Sequence, residues 1–151
     1  MVDPRVDLRP VGEPDREFLW LLQCQALRPY VEATWGWDEA FQRAYFEEHY
    51  GDRPRQIVRV DGSDAGMLSF EIRPDHVFLA NVALLPQFQG QGIGTRVIRE
   101  VMDEAARRGL PVRLQVLKVN RARRLYERLG FREVGQTATH CQMLFAGGAA
   151  E

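Results

Sequence analysis

Cysteine is nearly missing from this chain: Cys24 and Cys141 are the only two among 151 residues. They stand far apart and show none of the paired spacings of a zinc site, so both read as ordinary core thiols and neither a disulfide scaffold nor a metal ion is expected. Net charge is nearly absent too. Lys and Arg number 20 against 21 Asp and Glu, a formal charge of −1, which argues against a general binder of nucleic acid or of membrane surfaces. No apolar run approaches the ~20 residues that a bilayer span needs, and no secretory leader, internal repeat or low-complexity segment is found. The expectation is a cytoplasmic protein with no nucleic-acid and no membrane partner.

What is present fits one globular unit. An apolar fraction of 45% and a charged fraction of 27% are ordinary for a soluble fold, and the length suffices for one sizeable core. We therefore expect a single domain over residues 1–146 and a loose tail over 147–151. Val6-Asp7-Leu8-Arg9 alternates as a first strand. Asp15 is a candidate cap for a helix carrying Phe18, Leu19, Leu22, Ala26 and Leu27, which Pro29 should end or kink at Arg28. A second helix should start at Asp38, turn Phe41, Ala44, Tyr45 and His49 to one side, and stop at Gly51. The connection between them, Tyr30 to Trp37, is dense in aromatics. It reads equally as a pocket lining or as a lid packed on the core.

Two alternating segments around Asp61-Gly62 predict a hairpin, and the apolar run from Val77 to Leu85 predicts the central strand. Asn81 interrupts that run. It marks either a local irregularity or a satisfied buried amide. A long helix should carry Ile93, Val97, Ile98, Val101, Met102, Ala105 and Ala106 and end at Gly109. Val112 to Val116 follows as a strand, then a short helix capped by Asn120 and closed by Gly130, then a final antiparallel pair. Hairpin strands mixed with helices give an α+β sheet with helices on its faces.

Between the central strand and the long helix lies Gln89-Gly90-Gln91-Gly92-Ile93-Gly94-Thr95. Three alternating glycines let the backbone turn tightly and point free N–H groups of a helix N-terminus at an anion, although such turns also simply end strands. Here the chain resembles the GNAT superfamily of N-acetyltransferases. Gln89-Gly90-Gln91-Gly92-Ile93-Gly94 fits its pyrophosphate pattern Gln/Arg-X-X-Gly-X-Gly/Ala, and Asn120 with Leu125-Tyr126-Glu127-Arg128-Leu129-Gly130-Phe131 resembles its second motif. The order of elements agrees over nearly the whole chain.

The resemblance implies a mixed α/β fold with a twisted, mostly antiparallel sheet that splays at the central strand. It also implies acetyl-CoA as co-substrate, with the pyrophosphate on Gln89, Gly90, Gln91, Gly92, Ile93, Gly94 and Thr95. The backbone groups of Val82 and Leu84 would be free to pair with the pantetheine arm, the Val82 amide would face the thioester carbonyl, and Asn81 would sit at a bulge. Lys118, Arg121, Arg123 and Arg124 form a basic run, which reads either as a solvated helix face or, by the resemblance, as a partial phosphate contact; Asn120 and Arg123 are the chosen contacts to the nucleotide end. Tyr126 is the candidate acid for the leaving thiolate, its alternative role being helix packing.

The base is less defined. The central-strand positions that bear a base in some relatives are Phe78 and Ala80 here, which leaves Glu71, Glu32 or water, with His76 and His140 as further candidates. Tyr30, Trp35, Trp37, Asn81 and His140 are the expected acceptor contacts. The acidic and aromatic residues around them would suit a cationic amine, on a small molecule or a peptide. Transfer from another acyl-CoA such as succinyl-CoA, and a non-catalytic CoA-binding module, are the alternatives. Related domains often pair through their sheets or last strands, so a homodimer is one expected assembly.

Overall fold

The computed structural model describes residues 3–147; apart from Gly147, the expected tail lies outside the described residues. The elements run β1 (Val6–Pro10), α1 (Arg16–Leu22), α2 (Arg28–Trp35), α3 (Glu39–Glu48), β2 (Gln56–Val60), β3 (Ser63–Ile72), β4 (Val77–Leu84), α4 (Ile93–Arg107), β5 (Val112–Leu117), α5 (Ala122–Arg128), β6 (Arg132–Gln136) and β7 (His140–Phe145). The fold is mixed α/β, with helices flanking one seven-stranded, mostly antiparallel sheet in the order β1-β2-β3-β4-β5-β7-β6. The chain divides into two compact units, Met1–Ser69 with Asn81–Gly94, and Phe70–Ala80 with Thr95–Glu151.

In the first unit, β1, β2 and β3 pair antiparallel. The β2–β3 hairpin turns on Asp61 (φ 51°) and Gly62 (φ 82°), the left-handed pair that matches the twist of the flanking strands. Leu19, Leu22, Phe46, Tyr50, Ile57, Met67, Ala83 and Leu85 form its buried core. Each fully buried large side chain contributes roughly 1.5–3 kcal/mol of transfer free energy. The Tyr50 hydroxyl donates to Gly12 O at 2.9 Å, which satisfies the one polar atom that this ring carries inward.

Three expectations for the helices need correction. Pro29 does not end the first helix. A π-helical turn, Gln23–Leu27, precedes it, with Arg28 N donating to Gln23 O, and Pro29 sits in the first turn of α2. Most of the supposed aromatic connection is therefore helix. Second, Asp38 caps α3 as expected, its Oδ1 accepting from Phe41 N at 3.0 Å, but the buried side is not the expected one. Phe46 and Tyr50 pack into the core with Leu19, Leu22 and Ile57, while Phe41 is 61% and Tyr45 54% exposed. Third, Asp15 makes no capping bond to α1. Its carboxylate is taken by the Arg9 guanidinium at 2.8 and 3.1 Å, a charged partner stronger than a helix amide, and by Gly12 N at 2.9 Å.

In the second unit, α4 buries Val97, Ile98, Val101 and Ala105, spaced three and four apart along one face, and Gly109 (φ 68°) follows its end. β5 alternates buried Val112, Leu114 and Val116 with exposed Arg113 and Gln115. It pairs antiparallel with β7 along its length and parallel with β4 over Val77–Leu79. β7 also pairs with β6, so the last strand lies between β5 and β6. The Tyr126, Phe131 and Phe145 rings stack in series with centroids 5.6 and 5.5 Å apart.

Candidate functional site

Within the first unit, β4 ends in a 3-10 turn, Pro86–Phe88, and the chain then bends through the glycines into α4. Gly90 (φ 76°) and Gly92 (φ 80°) are both left-handed, a conformation that favours glycine. No atom lies within 4 Å of a Cβ built on either, so conformation and not crowding demands them. Gly94 differs. It has no such φ, and a Cβ there would meet only Leu84 Cδ1 at an ordinary 3.9 Å. The amides of Ile93, Gly94 and Thr95 open α4 and have no intrahelical acceptor. Together with the positive end of the 15-residue helix, they form a natural seat for an anion.

Side chains brace this turn. Gln91 Nε2 donates to Gln87 O and Gln89 Nε2 to Leu84 O, each at 2.9 Å. The Leu84 carbonyl, expected to be free, thus already accepts one bond. The sequence reading missed Gly66 on β3. A Cβ at that position would stand 2.1 Å from Ala83 O and 2.8 Å from Leu84 Cδ2, so only glycine lets β3 pass the end of β4, and Leu85 N reaches Ala65 O at 2.8 Å. A glycine in the middle of an alternating strand was the available signal.

The expected acceptor residues of this unit lie on α2 and just beyond it. Tyr30 is half-buried, and its carbonyl accepts from Thr34 Oγ1 at 2.9 Å. Trp35 is 61% exposed. Trp37 stacks 6.2 Å from Trp20, lies under the Arg28 guanidinium at 5.2 Å, and donates to Glu39 Oε1 at 3.3 Å. Glu32 pairs with Arg28 at 3.2 Å, and Glu47 is held by Arg16 and Arg43 at 2.7 and 3.1 Å. Two of the carboxylates expected to draw a cationic amine, Glu32 and Glu47, are thus paired with arginine. Asn81 and Val82 are half-buried on β4.

The second unit holds Glu71, Asn120, Arg123, Tyr126 and His140. Asn120 Oδ1 accepts from Ala122 N at 2.9 Å and so starts α5 as expected. Tyr126 is buried at 8% exposure, and burial pushes its phenol up to about 12. Its hydroxyl makes no hydrogen bond among the described residues.

Next to it, Lys118, Val119, Asn120, Arg121, Arg123 and Arg124 line a pocket of about 480 Å³. Arg123 turns part of its charge elsewhere, with Nη1 3.4 Å from Cys141 Sγ and 3.9 Å from Glu133. Glu71 stands 3.5 Å from Arg73. His140 Nδ1 lies 2.8 Å from Thr139 Oγ1, and His76 Nδ1 2.7 Å from Asp75. Among the described residues no His, Cys, Asp and Glu cluster could hold a metal ion, and no helix is long and apolar enough to cross a membrane.

The model of the acetyltransferase (GNAT) family matches residues 18–131. A mouse thialysine N-epsilon-acetyltransferase is 36% identical over 76 residues, which are 49% of this chain and 45% of that protein. The [ribosomal protein bS18]-alanine N-acetyltransferase of Haemophilus influenzae is 38% identical over 61 residues, 40% of this chain and 42% of that protein. The matched part thus spans less than half the length of these curated relatives. Among solved structures, the PaiA N-acetyltransferase of Thermoplasma acidophilum in complex with coenzyme A superposes with a TM-score of 0.77 at 16% identity, covering 93% of this chain and 98% of that one; that likeness concerns the fold.

Proposed function

The chain belongs to the acetyltransferase (GNAT) family, and on that premise we propose that it is an N-acetyltransferase moving an acetyl group from acetyl-CoA to a primary amine by direct attack in a ternary complex. The observation that carries the reading is the turn Gln89–Thr95, where two left-handed glycines lead into the N-terminus of a 15-residue helix, whose first amides have no intrahelical acceptor. A pyrophosphate is the anion such a turn takes without a metal. Coenzyme A bound to a protein of this fold supports the same donor. Asn120 and Arg123 would meet its nucleotide end, and the backbone of Val82 and Leu84 the pantetheine arm. The Val82 amide would stabilise the oxyanion as charge develops on the thioester oxygen.

Tyr126 would serve the leaving group. When the amine attacks, the C–S bond breaks and CoA departs as a thiolate, which a phenol held near 12 stabilises mainly by donating a hydrogen bond, since its proton is held more tightly than a thiol's. The acceptor is an amine on a small molecule or a protein. The relatives named above act on thialysine and on an alanine of a ribosomal protein, and Tyr30, Trp35, Trp37, Asn81 and His140 are the proposed contacts here. With Glu32 and Glu71 both engaged by arginine, water is the favoured carrier of the amine proton. The same pairing is what favours the second reading, a CoA-binding module without turnover.

A panel of amines with acetyl-CoA, read by release of free thiol, separates the two. Turnover on one amine class supports transfer. Tight CoA binding with no turnover on any class would leave the binding module. Succinyl-CoA in the same assay tests the acyl preference. For Tyr126→Phe, kcat should fall about 10²-fold, with the rise of rate with pH unchanged because that limb reports the amine.

A further inference from the structure

Lys118 is the only lysine in the chain, beside 19 arginines. It is exposed, in the short loop between β5 and α5, and its backbone is anchored by Lys118 N donating to Thr139 O at 2.9 Å. The pocket it lines holds three arginines and no carboxylate among its lining residues. Arg123 is partly engaged by Glu133 and Cys141. Lys118, Arg121 and Arg124 form no ion pair within 4 Å among the described residues. Three unpaired cations around one hollow attract a phosphate group, and guanidinium forks hold it in a fixed orientation. Arginine stays charged at any ordinary pH and is a poor nucleophile, so the ε-amine is the one side-chain amine in the chain that an acyl donor can modify.

We propose that Lys118 is an acylation site, modified by a phosphate-bearing activated acyl donor that docks its anionic group on Arg121 and Arg124. The neutral Lys118 Nζ attacks the acyl carbonyl carbon and an N–C bond forms. The C–O bond of an acyl phosphate, or the C–S bond of an acyl-CoA, breaks, and phosphate or CoA thiolate leaves with the electron pair. The proton shed by nitrogen goes to the leaving group or to water, and no redox partner is needed. The product is an Nε-acyllysine with one positive charge fewer in the pocket, so the modification weakens the anion binding that promoted it. An acyl-CoA would have to dock a phosphate on these arginines and fold its thioester back onto Lys118, a pose other than the one proposed above, in which the thioester meets the Val82 amide; an acyl phosphate depends on neither pose.

The test incubates the folded protein with acetyl phosphate or with acetyl-CoA, without any amine acceptor, and maps the label by peptide mass. Lys118 should be labelled at least about tenfold faster than in the urea-unfolded chain, the gain expected from holding donor and amine together. Inorganic pyrophosphate should suppress that gain, and so should the variant Arg121→Gln with Arg124→Gln, its fold checked by circular dichroism. Labelling with acetyl phosphate but not acetyl-CoA identifies the smaller donor, and the reverse identifies the thioester. Equal rates in folded and unfolded chains with both donors, or a rate that pyrophosphate leaves unchanged, overturns the proposal. Because the acetyl phosphate arm involves neither CoA nor an acceptor, its result is independent of whether the amine assay succeeds.

Discussion

Tyr126 is buried, and its burial has a consequence for stability as well as for chemistry. Its phenol is pushed from 10.0 up to about 12 by desolvation, so the folded state holds the proton more tightly than the unfolded chain. That contribution is fully present below pH 10 and is lost as pH rises through about 12. It amounts to about 3 kcal/mol for about two pH units. Urea unfolding of Tyr126→Phe should therefore lose less stability over that interval than the parent does; parallel curves would show that burial does not raise this phenol. Asp15 runs the other way. Its carboxyl is lowered chiefly by the Arg9 hydrogen bonds, so its contribution is present above the ordinary carboxylate range and fades as pH falls below it. Asp15→Asn at neutral pH should cost about 2 kcal/mol, since Arg9 then keeps only Asp64 as an anionic partner and loses a half-buried pair. In the sequence Tyr126 was legible through its motif. Asp15 was read as a cap, because nothing local to residues 12–18 shows that Arg9 stands opposite it.

Glycines make the sharpest contrast among the elements. Gly66→Ala would drive a Cβ to 2.1 Å from a backbone oxygen of β4, and the strands would have to part, at an expected 2 kcal/mol or more, about the size of an overpacking defect. Gly94→Ala meets nothing closer than 3.9 Å and replaces glycine in a helix. It should raise stability by about 0.5 kcal/mol with acetyl-CoA affinity kept, since the pyrophosphate pattern admits alanine there. Gly92→Ala, at φ 80°, should instead strain the turn and weaken acetyl-CoA binding; thermal melts and calorimetry with acetyl-CoA read the two effects separately, and unchanged affinity in Gly92→Ala would remove the turn from the donor site. Strand alternation, the Asp61-Gly62 turn and the α4 stripe were all plain in the sequence. The π turn before Pro29 was not, since the widened turn has no pattern of its own and shows only in how the backbone accommodates the proline. The faces of α3 were misread for a related reason: Phe41, Tyr45, Phe46 and Tyr50 offer two apolar stripes, and periodicity alone does not rank them.

On the scale of the whole molecule, ionisation frames stability from both ends. Asp15, Asp75, Glu104 and Glu133 are all held below their ordinary range, the first by Arg9, the second by His76, the third by Arg107 and Arg108, and the fourth mainly by Gln136. Tyr50 and Tyr126 are raised by burial. Stability should thus fall as pH drops through the carboxylate range and again as it rises above 10, with a plateau between; an optimum below pH 4 in a denaturation series would contradict these pairings. The sequence by itself determined the fold class, the order of elements and the family, because alternation, helical periodicity, glycine turns and two short motifs are local properties of the chain. Tertiary structure decided which aromatic stripe is buried, that Glu47 is held by Arg16 from 31 residues away, and that Gly66 opens the way for β4. Each of these depends on residues distant in sequence meeting in space, and pairing across such distances leaves no mark in local composition.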